Sequence, residues 1–126
     1  MAHLHGTADE IRARVPDVLE AWTFMRDNVL RDGIVDSDLK RLCFRYLGED
    51  PETMDFDRFD GRERLALEWA HAIAWDSDRA DNSLWHRLRS AFTEPELVEL
   101  GCAIGFALGQ QHWERTLGLP AQAGIS

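Results

Sequence analysis

Gly101, Gly105 and Gly109 recur every fourth residue inside EPELVELGCAIGFALGQQHWERTLG, a stretch whose apolar residues otherwise repeat with helical spacing. Interior glycines cost a helix about 1 kcal/mol each relative to alanine, so close helix–helix approach is the expected compensation. On a helical wheel Leu97, Val98, Leu100, Gly101, Cys102, Ile104, Gly105, Phe106 and Leu108 cover well over half the circumference. A helix of this kind, over about 94–116, belongs at the centre of its fold. Thr93-Glu94-Pro95-Glu96 reads as its start, with a cap residue and a proline inside the first turn.

The helical period continues through the rest of the chain. Val15, Val18, Leu19, Trp22, Met25 and Leu30 fall mostly at three- and four-residue steps, with Gly33 as a stop. Asp36 or Ser37 would cap a second helix carrying Leu39, Leu42, Cys43, Tyr46 and Leu47, ending at Gly48. RERLALEWAHAIAW makes a third, over about 60–75. Its broad apolar face runs through Leu65, Ala66, Trp69, Ala70, Ala72 and Ile73, and Arg64, Glu68, His71 and Trp75 gather on the other side. Arg64 and Glu68 are spaced for an i, i+4 ion pair. DSDRADNS supplies turn and cap residues before a short helix marked by Leu84, Trp85, Leu88 and Phe92. No strand-length alternation appears, so the expected fold is all-α, a five-helix bundle. The acidic stretch GEDPETMDFDRFDG interrupts it as a solvated loop pinned by Met54, Phe56 and Phe59. Phe59 stands where a calcium loop needs a ligand, so no metal is expected there.

Composition narrows the class. A chain of 126 residues, 44% hydrophobic and 29% charged, fits one globular domain spanning 1–126, with mobile ends at 1–14 and 121–126. A net charge of −9 argues against non-specific binding to nucleic acid or to anionic membranes. No apolar run approaches the roughly 20 residues of a membrane helix, and MAHLHGTADEIRARVPD has no apolar core of a secretory signal. A cytoplasmic protein is the expectation.

Several residues could carry chemistry. Gln111 and His112 fall within the apolar arc of the last helix, His112 almost in line with Gly101, Gly105 and Leu108. A buried imidazole there is either a catalytic group or a structural one bonded to a neighbouring carbonyl or carboxylate. His71 lies one turn beyond Glu68, and such pairs serve as base and orienter or simply share a solvated face. Trp22, Trp69 and Trp85 fit the core, whereas Trp75 and Trp113 sit beside the polar candidates and would line a pocket. Cys43 and Cys102 are both expected to be mostly buried, and neither belongs to a CxxC pair. No phosphate loop, HExxH or GxSxG is present.

The stretch from FDGRERLALEWAHAIAW to ELVELGCAIGFALGQQHWERTLGLP resembles the carboxyl half of the carboxymuconolactone decarboxylase and alkylhydroperoxidase D-like (AhpD-like) superfamily. The matching features are Arg62-Glu63-Arg64, the E-L-V-E-L run at 96–100 and the L-G-x-P ending at 117–120. Upstream, DGIVDSDLKRLCFRYL resembles the helix leading into the family's redox motif. The resemblance, over about 15–120, implies an AhpD-like bundle assembled as a trimer or hexamer. The peroxidase members carry CxxC followed by histidine. Aligning Cys43 with the first cysteine puts Tyr46 in place of the second and Asp50 in place of the histidine, so the resolving thiol is missing. His112 resembles a last-helix histidine of members without cysteines.

Three readings follow. The first is a cofactor-free acid–base enzyme of decarboxylase, lyase or isomerase type, with His112, His71 and Glu68 catalytic. Trp75, Trp113, Gln111, Tyr46 and Cys43 would then contact a small organic substrate. The second is a non-catalytic homo-oligomeric protein that binds a small molecule, and the third a thiol-dependent reductase using Cys43.

Overall fold

A computed structural model describes residues 3–48, 55–59 and 61–119, and every regular element among them is helical. The helices are α1 (Ala8–Arg12), α2 (Pro16–Asn28), α3 (Ser37–Leu47), α4 (Gly61–Trp75), α5 (Asn82–Ala91) and α6 (Glu94–Thr116), with single 3₁₀ turns at Phe56–Arg58 and Ser77–Arg79. The starts are written locally. Asp36 accepts a hydrogen bond from the Leu39 N–H at 2.8 Å, and Asp81 accepts one from the Leu84 N–H at 2.9 Å. Thr93 and Glu96 close a reciprocal capping box on α6. Each such cap is worth about 1 kcal/mol. No helix among the described residues is long and apolar enough to cross a membrane.

One expectation about the elements is corrected. The described helices number six, not five, because α1 forms ahead of Val15, where the sequence offered no helix. A five-residue helix is unstable alone, and this one is held by burial of Ala8, Ile11 and Arg12. The Arg12 guanidinium lies 4.0 Å above the Trp22 ring and 5.1 Å from that of Trp113. It donates to Glu114 at 2.6 Å, to Gln110 Oε1 at 2.9 Å and to Asp9 at 3.1 Å. Residues 121–126 and Met54 lie outside the described residues.

The main core joins Leu42, Cys43, Tyr46 and Leu47 of α3 to Ala66, Leu67, Trp69 and Ala70 of α4, with Leu84 and Leu88 of α5 and Leu97, Leu100 and Ile104 of α6. Phe56 and Phe59 pack onto it, so the described part of the acidic stretch is pinned by its aromatics as expected. A smaller cluster holds Trp22, Leu30, Phe44, Ala103 and Ala107. Between the two, α6 is central. Its polar side chains also satisfy the far end of α3: Gln111 Nε2 donates to the Phe44 carbonyl at 3.2 Å and Arg115 to the Leu47 carbonyl at 3.1 Å. Lys40 is fully enclosed and donates to the Val29 and Arg31 carbonyls at 2.6 and 2.7 Å, closing the exit of α2. Glu99 of α6 accepts from Lys40 at 3.3 Å and from the Val35 N–H at 2.7 Å, which fastens the α2–α3 connection to the central helix.

The glycine stripe divides. A Cβ on Gly101 would stand 2.8 Å from the Trp69 ring, so this glycine does permit close approach of α6 to α4. Gly105 and Gly109 have nothing within 4 Å of a would-be Cβ. The expected tight packing of the whole stripe is therefore corrected, and with it the places of His112 and Cys102, both of which are exposed. Val98 and, on α2, Phe24 are apolar and more than 60% exposed (66% and 63%). The wheel identified an apolar circumference correctly; among the described residues α6 has too few neighbours to cover all of it.

Candidate functional site

Tyr46 descends from α3 into the gap between α3 and α4, where its residue has no exposed surface. Its ring meets Phe56 with centroids 5.6 Å apart and Trp75 edge-on at 5.5 Å. The sequence dictates this locally: Leu42, Cys43, Tyr46 and Leu47 share the buried face of α3. On the facing helix, Glu68, His71 and Trp75 follow one another at helical spacing along the side away from the core. The Tyr46 hydroxyl and His71 Nδ1 lie 2.5 Å apart, a short hydrogen bond between two helices. Trp75 flanks the imidazole at 5.2 Å and Phe56 meets it edge-on at 6.0 Å.

Burial pushes the Tyr46 hydroxyl up to about 12, against a smaller downward pull from Arg79. Burial and then the Arg79 guanidinium hold His71 below its ordinary 6.5, with Asp76 opposing. Both groups are thus neutral at neutral pH. His71 also lines a cavity of about 230 Å³ whose wall includes Phe56, Glu68, Arg79, Ser83 and Arg87. Glu68 is tied to Arg87 at 2.8 Å, and Arg79 to Asp76 at 3.4 Å. Asp81 also reaches the cavity, but its carboxylate is committed to the α5 N-terminus. The hollow therefore combines an aromatic flank, a neutral imidazole, a hydroxyl and balanced charges. A wider groove of about 430 Å³ between α5 and α6, along Trp69, Trp85, Leu97 and Val98, is mainly apolar and open. Among the described residues no group of His, Cys, Asp and Glu is placed to hold a metal ion.

Of the residues expected at a site, His71, Glu68, Tyr46 and Trp75 come together here. His112, Trp113 and Gln111 do not. His112 is exposed on α6, Trp113 stacks with Arg12, and Gln111 caps α3, its Oε1 having no partner among the described residues. Cys43 is completely buried, and burial pushes its thiol up to about 12, which makes it a core residue and a poor nucleophile. The expected Arg64–Glu68 pair is replaced by Arg64–Asp57 at 3.1 Å and Glu68–Arg87. Arg79, Ser83 and Arg87 were not foreseen, since Arg79 and Ser83 read as turn and cap residues, Arg87 as one charge on a short helix, and nothing local announces that α5 folds back against Glu68. Comparison with protein-family models, with curated proteins and with solved structures gives no match to this chain.

Proposed function

We propose that the chain is a cofactor-free acid–base enzyme of lyase or isomerase type, an AhpD-like protein without the dithiol. It acts on a small organic substrate in the cavity between α4 and α5. His71 and Glu68 handle the proton, Tyr46 orients His71, and Phe56 and Trp75 exclude water. The observation that carries this reading is the bond between a wholly buried hydroxyl and an imidazole that itself lines a hollow. A neutral histidine held in place by a hydrogen bond is what acid–base chemistry at neutral pH needs. His112 has no part in this reading, and the reductase alternative finds Cys43 enclosed and protonated.

The test is a panel of small ketones, lactones and β-keto acids incubated with the protein in heavy water, with exchange, isomerisation and carbon dioxide release followed by proton NMR. His71→Gln and Glu68→Gln are each expected to lower turnover by about 10²–10⁴-fold with the fold intact, since both side chains are partly exposed. Turnover that survives both substitutions sinks the reading.

The second reading, a non-catalytic homo-oligomer that binds a small molecule, draws support from exposed Val98 and Phe24 and from the open space over Gly105 and Gly109. A native mass spectrum distinguishes it: a trimer or hexamer releasing a bound molecule on denaturation, with no turnover on the panel, favours this alternative.

A further inference from the structure

We propose that Tyr46 locks His71 as the imidazole tautomer with its proton on Nε2, so that the ring presents a hydrogen-bond donor to the cavity and the ligand presents an acceptor oxygen. The ligand half of this inference rests on the cavity being the binding site. The lock follows from hydrogen-bond accounting. A tyrosine hydroxyl carries one hydrogen, and a neutral imidazole has one N–H and one lone pair. The Tyr46 hydroxyl is enclosed by Phe56, Trp75 and the core, and among the described residues its hydrogen-bond partner is His71 Nδ1. Donation from the hydroxyl to Nδ1 satisfies both atoms and leaves the N–H on Nε2. The reverse arrangement, with Nδ1–H donating to the phenolic oxygen, strands a buried hydroxyl hydrogen, which folded proteins avoid. The imidazolium strands it in the same way. Of the other charged groups that act on the ring, Arg79 and Asp76 are paired with each other.

This divides the labour between two residues that helical spacing alone left equivalent. His71 serves as the electrophilic partner, and Glu68, one turn earlier on α4, is the proton acceptor. Arg87 bonds its Oε2. The matching substrate class is a small β,γ-unsaturated carbonyl compound with a hydrogen on the carbon between the carbonyl and the alkene. Glu68 takes that proton; the C–H electron pair becomes the carbon–carbon double bond, and the carbonyl π pair moves onto oxygen, where Nε2–H holds the enolate. Return of the same proton from Glu68 to another carbon of the enolate system gives an isomer and restores both residues, with no change in oxidation state. A neutral imidazole is suited to this role, as donors matched to a developing oxyanion are the main source of stabilisation in such steps.

The experiment is a long-range proton–nitrogen correlation spectrum of the ¹⁵N-labelled full chain at neutral pH, with the His71 signals assigned by their loss in His71→Gln. The expected result is a pyridine-like Nδ1 and a pyrrole-like Nε2, with Tyr46→Phe, which keeps the ring, giving a mixture of tautomers. Added cyclohexanone is expected to move the Nε2–H signal, and cyclohexylammonium, which has the same ring and no acceptor, to leave it in place. A wild-type His71 with its proton on Nδ1, or one that Tyr46→Phe does not change, overturns the lock whatever the cavity binds. A locked His71 that cyclohexanone fails to move overturns the acceptor-ligand half and leaves the lock standing.

Discussion

Arg12 and Tyr46 are both fully enclosed, and each links two helices through polar atoms, yet the two clusters are built to opposite ends. Around Arg12 four N–H groups donate to Gln110, Glu114 and Asp9, and the guanidinium faces are covered by Trp22 and Trp113. The Arg12 side chain keeps no exposed surface with which to meet a ligand. Around Tyr46 the described residues make one short bond, after which the partner imidazole still has a nitrogen without a partner among them and a cavity beside it. Burial of a charged or polar group is therefore not what marks a site. A leftover hydrogen-bonding valence beside open space is.

The largest expected effect lies on the Arg12 side. Arg12→Ala leaves the Glu114 carboxylate buried without its cation and should cost about 3–5 kcal/mol, read as a lower urea midpoint. Tyr46→Phe, which removes one hydrogen bond and keeps the packing, should cost only about 1 kcal/mol. If the two losses prove equal, the contrast between a lock and a site collapses.

A second test uses pH and touches only the Tyr46 side. Because His71 titrates below its ordinary 6.5 when folded, the unfolded chain binds the extra proton first as pH falls. Its contribution to stability is complete above 6.5 and is lost as pH drops through that value towards the folded one. Urea midpoints measured across this window should fall with acidification in the wild type and less steeply in His71→Gln. A slope unchanged by that substitution would place the buried-imidazole argument in error.

The last pair of effects, ending on the smallest, concerns α6, the helix on which α4 and Arg12 both pack. Gly101→Ala forces a Cβ against the Trp69 ring at 2.8 Å and should destabilise by about 1–3 kcal/mol. Gly105→Ala meets nothing within 4 Å and should stabilise by about 0.5–1 kcal/mol through helix propensity. Destabilisation by Gly105→Ala would mean that something other than the described residues packs on that stretch of α6 in solution.

What the sequence determined was whatever is decided between near neighbours along the chain. The helices from Pro16–Asn28 onward, the caps at Asp36, Asp81 and Thr93 and the proline starts were legible, because capping and periodicity are contacts within a turn or two. So were the shared face of Glu68, His71 and Trp75 and the core places of Trp22 and Trp69. Only the tertiary structure decided which of the candidates met. His112 and Gly105 occupy the same apolar arc as Gly101, but an arc does not say how many neighbours will arrive to cover it. α1 is too short to predict itself and exists because Arg12 finds Glu114 across 102 residues. The Tyr46–His71 bond, the pairing of Glu68 with Arg87 and the cavity between them depend on how α3, α4 and α5 close on one another. Those are long-range contacts, and their geometry is fixed by the packing of whole faces, which no local spacing encodes.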